Sequence, residues 1–202
     1  MRAIVCKDWG DPETLELGEL PEPALGPGQV RIRMRAAGVN FADCVLVRGQ
    51  YQEKPELPFA PGLEGAGEIM EVGDGVTEFK PGDRVMAVVS TGAYAEQAVC
   101  EATTVFHMPD GMDNATAAAF PVAYGTSHLA LVHRAKLKAG ETVLVLGAGG
   151  GVGLTAVECA KAMGATVIAA ASTPEKLELA RARGADHLIN YTEEDLRGTL
   201  RK

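Results

Sequence analysis

The segment Leu144-Val145-Leu146-Gly147-Ala148-Gly149-Gly150-Gly151-Val152-Gly153-Leu154 constrains this chain more than any other. Apolar residues lead into a glycine cluster, and residues 155–163 then read as a helix. Glycines at a strand-to-helix turn let the backbone approach a bound group closely. The helix N-terminus beyond them offers free N–H groups and the positive end of the helix dipole. This is the turn through which a parallel α/β domain of Rossmann type grips a pyrophosphate. The spacing Gly147-x-x-Gly150-x-x-Gly153, with Gly151 and Val152 inside it, departs from the usual GxGxxG. The flanking strand and helix patterns supply the confirming context, against a turn that only packs a helix.

The end of the next expected strand, residues 166–170, discriminates between dinucleotides. A site selective for NAD carries an acid there, about 20 residues beyond the first glycine, facing the ribose 2′-OH. This chain reads Ala169-Ala170-Ala171-Ser172-Thr173, with no acid before Glu175. A hydroxyl at Ser172 and a cation at Lys176, one helical turn on, suit a 2′-phosphate instead, which favours NADPH over NADH. Without Ser172 beside it, Lys176 would read as an exposed helix cation.

Around this turn the chain divides by texture. Residues 1–112 are β-rich: Val30, Ile32 and Met34 alternate with Arg31, Arg33 and Arg35, the period of a strand with one wet face. Pro-Gly pairs at 27–28, 61–62 and 81–82 punctuate further strands at about 64–72 and 84–89, which predicts a small barrel or sandwich. Residues 113–202 alternate helix and strand. Asp113 or Asn114 caps an alanine-rich helix, and a longer helix follows to about Arg134. Strands are expected at 142–146, 166–170 and 187–189. Thr173 reads as an N-cap with Pro174 at the first helical position, and Thr192-Glu193-Glu194-Asp195 as a helix start. The fold class is thus α/β, a β-rich first domain followed by a parallel sheet.

Composition narrows the function classes. A net charge of −8 argues against a nucleic-acid partner, because phosphate backbones need clustered Lys and Arg. The basic group at the end (Arg197, Arg201, Lys202) reads as a solvated helix face. The four cysteines are scattered without a CxxC pair, and no leader opens the chain, so a cytoplasmic location with reduced thiols is expected. Two uncharged stretches, 115–131 and 142–157, approach membrane-span length, but Pro121, Gly125 and the glycine run make them buried core rather than a membrane contact.

Several co-linear segments resemble the medium-chain dehydrogenase/reductase superfamily, in particular its zinc-independent quinone oxidoreductase, zeta-crystallin-like branch. They are Gly38-Val39-Asn40-Phe41-Ala42-Asp43, Pro61-Gly62-Leu63-Glu64-Gly65-Ala66-Gly67, Lys80-Pro81-Gly82-Asp83-Arg84-Val85, the glycine run, and Ile189-Asn190-Tyr191. The resemblance implies a GroES-like barrel followed by a Rossmann domain. Zinc-dependent members carry Cys where this chain has Asn40, and His where it has Leu63. An amide and a leucine side chain cannot replace thiolate and imidazole, so no metal is expected.

The resemblance further implies hydride transfer from NADPH to quinones or α,β-unsaturated carbonyls (enones, enals, enoyl thioesters), whose reduction needs no Lewis acid. It places Asn40 and Asp43 beside the nicotinamide and acceptor, Thr126 near the carboxamide, and Ser172, Lys176 and Tyr191 around the 2′-phosphate. Tyr51 falls where related enoyl thioester reductases place a proton-delivering tyrosine, though an amphipathic tyrosine at a cleft rim is an equal alternative. Glu64 is expected to be a structural hydrogen-bond partner. A full Rossmann sheet has six strands, whereas only strands one to three are expected before residue 202, with the first strand open along one edge. The chain is therefore expected to be the N-terminal part of a reductase whose full-length relatives form homodimers, with little turnover on its own. A non-catalytic, crystallin-like dinucleotide-binding protein is the alternative.

Overall fold

The computed structural model describes residues 1–201; Lys202 of the basic group lies outside the described residues. The chain forms two compact units, Met1–Val122 and Ala123 onward. In the first, β1 (Arg2–Val5) pairs antiparallel with β2 (Glu16–Glu19). A five-stranded antiparallel sheet combines β3 (Gln29–Ala37), β4 (Glu64–Val72), β5 (Arg84–Val88), β6 (Gln97–Glu101) and β7 (Val105–His107) in the order β6-β3-β4-β5-β7. Helix α1 (Phe41–Val47) follows β3, and α2 (Asn114–Ala118) follows β7.

Alternation along β3 sends Val30 and Ile32 into the core with Ile69, Val85 and Ala87. Its other face is not uniformly wet. Arg31 is 9% exposed, and its guanidinium donates to Glu71 (3.2 Å), the Pro23 carbonyl (3.0 Å) and Gln97 (3.3 Å). A charge this buried is retained because its donors are matched. Asp113 caps α2, accepting from the Thr116 N–H at 2.7 Å as the sequence suggested. Ala117 and Ala118 of α2 pack on Ala66 and Met108, which holds this helix to the sheet of the first unit.

Helix α3 (Pro121–His128) starts after the break that Pro121 imposes and runs on into a π-helical stretch, Leu129–Arg134. In the second unit, β8 (Thr142–Leu146), β9 (Thr166–Ala171) and β10 (His187–Asn190) form a parallel sheet in the order β10-β9-β8. Helices α4 (Gly151–Ala162) and α5 (Pro174–Ala182) connect the strands, and α6 (Leu196–Thr199) follows β10. Val145, Val157, Ala160, Val167, Ala169 and Ala180 make the core. Thr173 caps α5 with Pro174 beside it, as expected.

Two helix starts differ from the sequence reading. Helix α4 begins at Gly151, four residues before the expected start, because the Leu154 N–H already donates to the Gly150 carbonyl at 2.8 Å. Residues 192–194 form a turn rather than a helix start. The Glu193 and Glu194 N–H groups donate to the Asn190 carbonyl, and only Asp195 caps α6. Among the described residues β8 pairs on one side only, and no helix is long and apolar enough to cross a membrane.

Candidate functional site

In the first unit the polar residues gather where β3 ends and α1 begins. Asn40 is the N-cap of α1, and its own N–H donates to Asp43 Oδ2 at 2.8 Å. Its side-chain Nδ2 donates to Glu64 Oε1 at 2.8 Å, while Glu64 Oε2 accepts the Val122 N–H at 2.7 Å. Glu64 is 2% exposed and thus serves as the structural partner the sequence suggested. Gly38 has no room for a side chain: a Cβ there would lie 2.3 Å from Glu64 Oε1 and 2.7 Å from the Ala118 carbonyl oxygen. The loop before Asn40 is therefore pressed against Glu64 and α2.

Asp43 is 4% exposed, and Oδ2 also accepts from the Tyr94 hydroxyl at 3.0 Å. Its Oδ1 is buried without a hydrogen-bond partner. Burial raises the Asp43 carboxyl above its ordinary value, opposed by the donors at Asn40 and Tyr94 and, more weakly, by the Gly62 and Leu63 backbone. Burial raises Glu64 as well, against the Val122 and Asn40 donors and with a further push from the Asp43 charge. Tyr94 is pushed up by burial and then by Asp43. The cluster is a fixed polar platform whose two carboxyl groups hold protons more tightly than exposed acids do.

Tyr51 is not joined to this cluster by any hydrogen bond among the described residues. It packs on the apolar group Cys6, Leu46, Val47 and Phe59, and it lines a cavity of about 200 Å³ with Leu46, Glu53, Lys54, Ser90 and Thr91. Leu63, at the position of the zinc-liganding histidine in the resemblance, packs on the same apolar group. No group of three or more His, Cys, Asp or Glu able to hold a metal occurs among the described residues.

In the second unit the glycine turn joins β8 to α4. Gly150 is the N-cap of α4 and no side chain caps the helix, so the first N–H groups, from Gly151, Val152 and Gly153, lack intrahelical partners. A Cβ at Gly153 would lie 2.3 Å from the Gly147 carbonyl oxygen, whereas Gly151 has open space around it. The turn thus packs tightly at Gly153 and lies open at Gly151, a shape that admits an anionic group at the helix end. At the end of β9, Lys176 Nζ lies 3.4 Å from Ser172 Oγ. The Thr192 hydroxyl donates to the Ser172 carbonyl at 3.3 Å, and the Tyr191 N–H donates to the Ala171 carbonyl at 3.2 Å. Ser172, Lys176 and the half-exposed Tyr191 are thereby collected, and the Lys176 stem crosses Gly149.

Thr126 is exposed on α3, and its neighbour Ser127 carries a contact that no sequence pattern announced. Ser127 Oγ lies 2.9 Å from the Val152 carbonyl and pairs with Thr155 Oγ1 at 2.8 Å, and Thr155 Oγ1 lies 3.1 Å from the Ala123 carbonyl, so the two hydroxyl hydrogens are shared among these acceptors. These buried hydroxyls fasten α3 to the first turn of α4.

A GroES-like unit followed by a Rossmann-type parallel sheet, with a glycine turn open at a helix N-terminus, defines a dehydrogenase/reductase architecture. Residues 26–110 match the alcohol dehydrogenase GroES-like domain and residues 151–202 match the zinc-binding dehydrogenase family. The chain is 43% identical over its whole length to the quinone oxidoreductase-like protein 2 of Mus musculus, of which it covers 57%. It is 40% identical over 96% of its length to the quinone oxidoreductase of Homo sapiens, covering 59% of that protein. The crystal structure of Escherichia coli quinone oxidoreductase complexed with NADPH superposes on all of this chain with a TM-score of 0.91 at 33% identity, and 62% of that chain is covered. The chain thus carries the GroES-like and zinc-binding dehydrogenase domains, is similar along its length to quinone oxidoreductases and quinone oxidoreductase-like proteins, and spans less than two thirds of the length of these relatives.

Proposed function

We propose that this chain supplies the GroES-like unit and the phosphate-binding part of an NADPH-dependent, zinc-independent oxidoreductase that reduces quinones or α,β-unsaturated carbonyl compounds. The observation that carries the reading is the pairing of an uncapped helix N-terminus at the glycine turn with Ser172 and Lys176 at the end of β9. The NADPH complex of the Escherichia coli relative supports the choice of dinucleotide. The N–H groups of Gly151, Val152 and Gly153 would hold the pyrophosphate on the turn through Gly147 and Gly150. The Ser172 hydroxyl, the Lys176 ammonium and Tyr191 would hold the 2′-phosphate, and Thr126 the carboxamide. Bound there, NADPH would supply a hydride, which with one proton completes the two-electron reduction of the acceptor.

The chain's own task is then to orient and to manage that proton. Asn40, with one amide hydrogen committed to Glu64, presents the rest of its amide from a fixed position. Asp43 holds the turn beneath it, and Tyr51 stands at the wall of a cavity of a size suited to a small acceptor, as the candidate proton donor. Asn40 and Leu63 stand where zinc ligands would be needed and offer neither thiolate nor imidazole, which favours chemistry without zinc. A cytoplasmic homodimer completes the proposal.

The test is a titration of the full-length protein with NADPH and NADH, followed by turnover with a panel of quinones and enones. NADPH binds the more tightly, and Lys176→Ala weakens it about tenfold or more, the scale of a lost hydrogen bond between charged groups, while NADH is nearly unaffected. Tighter binding of NADH overturns the 2′-phosphate assignment. Tight binding of NADPH without turnover of any acceptor replaces the enzyme with a non-catalytic, crystallin-like binding protein.

A further inference from the structure

Tyr94 was not marked by any motif, yet it is the residue on which the Asn40–Asp43 turn rests. It lies in the loop between β5 and β6, 51 positions from Asp43 in sequence, and its hydroxyl reaches Asp43 Oδ2 at 3.0 Å and the Gly38 carbonyl at 3.2 Å. The backbone on both sides is clamped: the Tyr94 N–H donates to the Pro61 carbonyl at 3.0 Å, and its carbonyl accepts from Ile4 at 2.8 Å. The ring lies against Gly62, where a Cβ would stand 2.6 Å from Tyr94 Cδ1, and Gly62 itself has φ +97°, a backbone conformation that glycine favours. Three loops, 38–43, 61–63 and 92–96, thus meet around one phenol.

We propose that Tyr94 is a positioning residue for the candidate site: its hydroxyl fixes the Asp43 carboxylate and, through it, the turn that presents Asn40. The path is a chain of hydrogen bonds. Tyr94 donates to Asp43 Oδ2, the same oxygen accepts the Asn40 N–H at 2.8 Å, and the Asn40 amide is gripped on its far side by Glu64. The second Asp43 oxygen is buried without a partner, so removal of the phenol leaves the carboxylate to the Asn40 N–H and to the weaker backbone donors of Gly62 and Leu63. The effect on turnover rests on the oxidoreductase reading above; the effect on Asp43 does not. A donated hydrogen bond favours the ionised carboxylate.

The experiment uses the full-length protein with carboxyl-13C aspartate, the Asp43 resonance being assigned by its absence in Asp43→Asn. In Tyr94→Phe, which keeps the ring over Gly62, the Asp43 titration moves up by about one pH unit, the scale of one hydrogen bond to a charged acceptor. Incorporated 3-fluorotyrosine, a stronger donor, moves it down, and this arm needs no substitution that threatens folding. Turnover of Tyr94→Phe falls about tenfold in kcat with the KM for NADPH unchanged. An Asp43 titration that neither change moves overturns the proposal. A moved titration in a protein that turns over no acceptor leaves the Tyr94–Asp43 coupling standing and removes the oxidoreductase reading.

Discussion

Gly153→Ala abolishes tight dinucleotide binding and destabilises the second unit, whereas Gly151→Ala, two residues away in the same turn, leaves the fold intact. A Cβ at 153 would stand 2.3 Å from the Gly147 carbonyl oxygen and 2.8 Å from Ala148 Cα. These are backbone atoms, so relief requires the turn to open away from α4. Overpacking of this kind costs about 1–3 kcal/mol, and it moves the N–H groups that would face the pyrophosphate. A displacement worth 1.4 kcal/mol already weakens binding about tenfold. At Gly151 nothing lies within 4 Å of the added atom, and alanine is a better helix former than glycine by about 0.8–1.0 kcal/mol. That variant unfolds at the same temperature or slightly higher, yet binds NADPH more weakly because its methyl group faces the open side of the cradle. Thermal unfolding and NADPH titration of the two full-length variants separate packing from approach. A Gly153→Ala protein that unfolds and binds as the wild type does would show that the turn has slack.

The contrast between these glycines marks what the sequence could and could not convey. The strands at 142–146 and 166–170, the Asp113 and Thr173 caps and the parallel order all follow from apolar periodicity and cap chemistry, which act over a few residues. The helix start at Gly151 did not follow, because glycine propensity argues against a helix and the deciding contact is Leu154 N–H to the Gly150 carbonyl. Residues 192–194 mimic a helix start, but the competing acceptor is the Asn190 carbonyl at the end of β10. Arg31 reads as solvated from its alternation, while its partners Glu71 and Gln97 are supplied by neighbouring strands. In the candidate site, Asn40, Asp43 and Glu64 are legible because they stand in compact motifs. Tyr94 and the Ser127–Thr155 pair are not, because each is defined only by a partner 28 to 51 positions away.

Glu64→Ala is the second large effect, and its pH dependence identifies the cause. The substitution strands the Asn40 Nδ2 and Val122 N–H donors and empties the space beneath Gly38. Two buried unsatisfied donors at about 1–3 kcal/mol each, with a cavity beside them, give a loss of about 3 kcal/mol or more. For a protein of this size that is a fall of about 6–12 °C in the unfolding temperature. Glu64→Gln keeps the volume and loses less. Its amide offers one acceptor oxygen where the carboxylate offered two, so one of the two donors faces another N–H. Burial holds Glu64 above its ordinary value of 4.5 in the folded chain. A raised carboxyl binds its proton more tightly folded than unfolded, so its contribution is complete below the ordinary value and declines as pH rises through the folded one. The wild type's advantage over Glu64→Gln is therefore greatest in acid and narrows toward neutral pH. Exposed acids with lowered values, such as Asp113 and Asp186, follow the opposite course and cancel in the comparison. Urea unfolding of both proteins across this range measures the difference directly. An advantage that grows with pH would mean that the two donors outweigh burial, and that Glu64 holds Asn40 as a fully stabilised carboxylate rather than as an acid kept ready to take a proton.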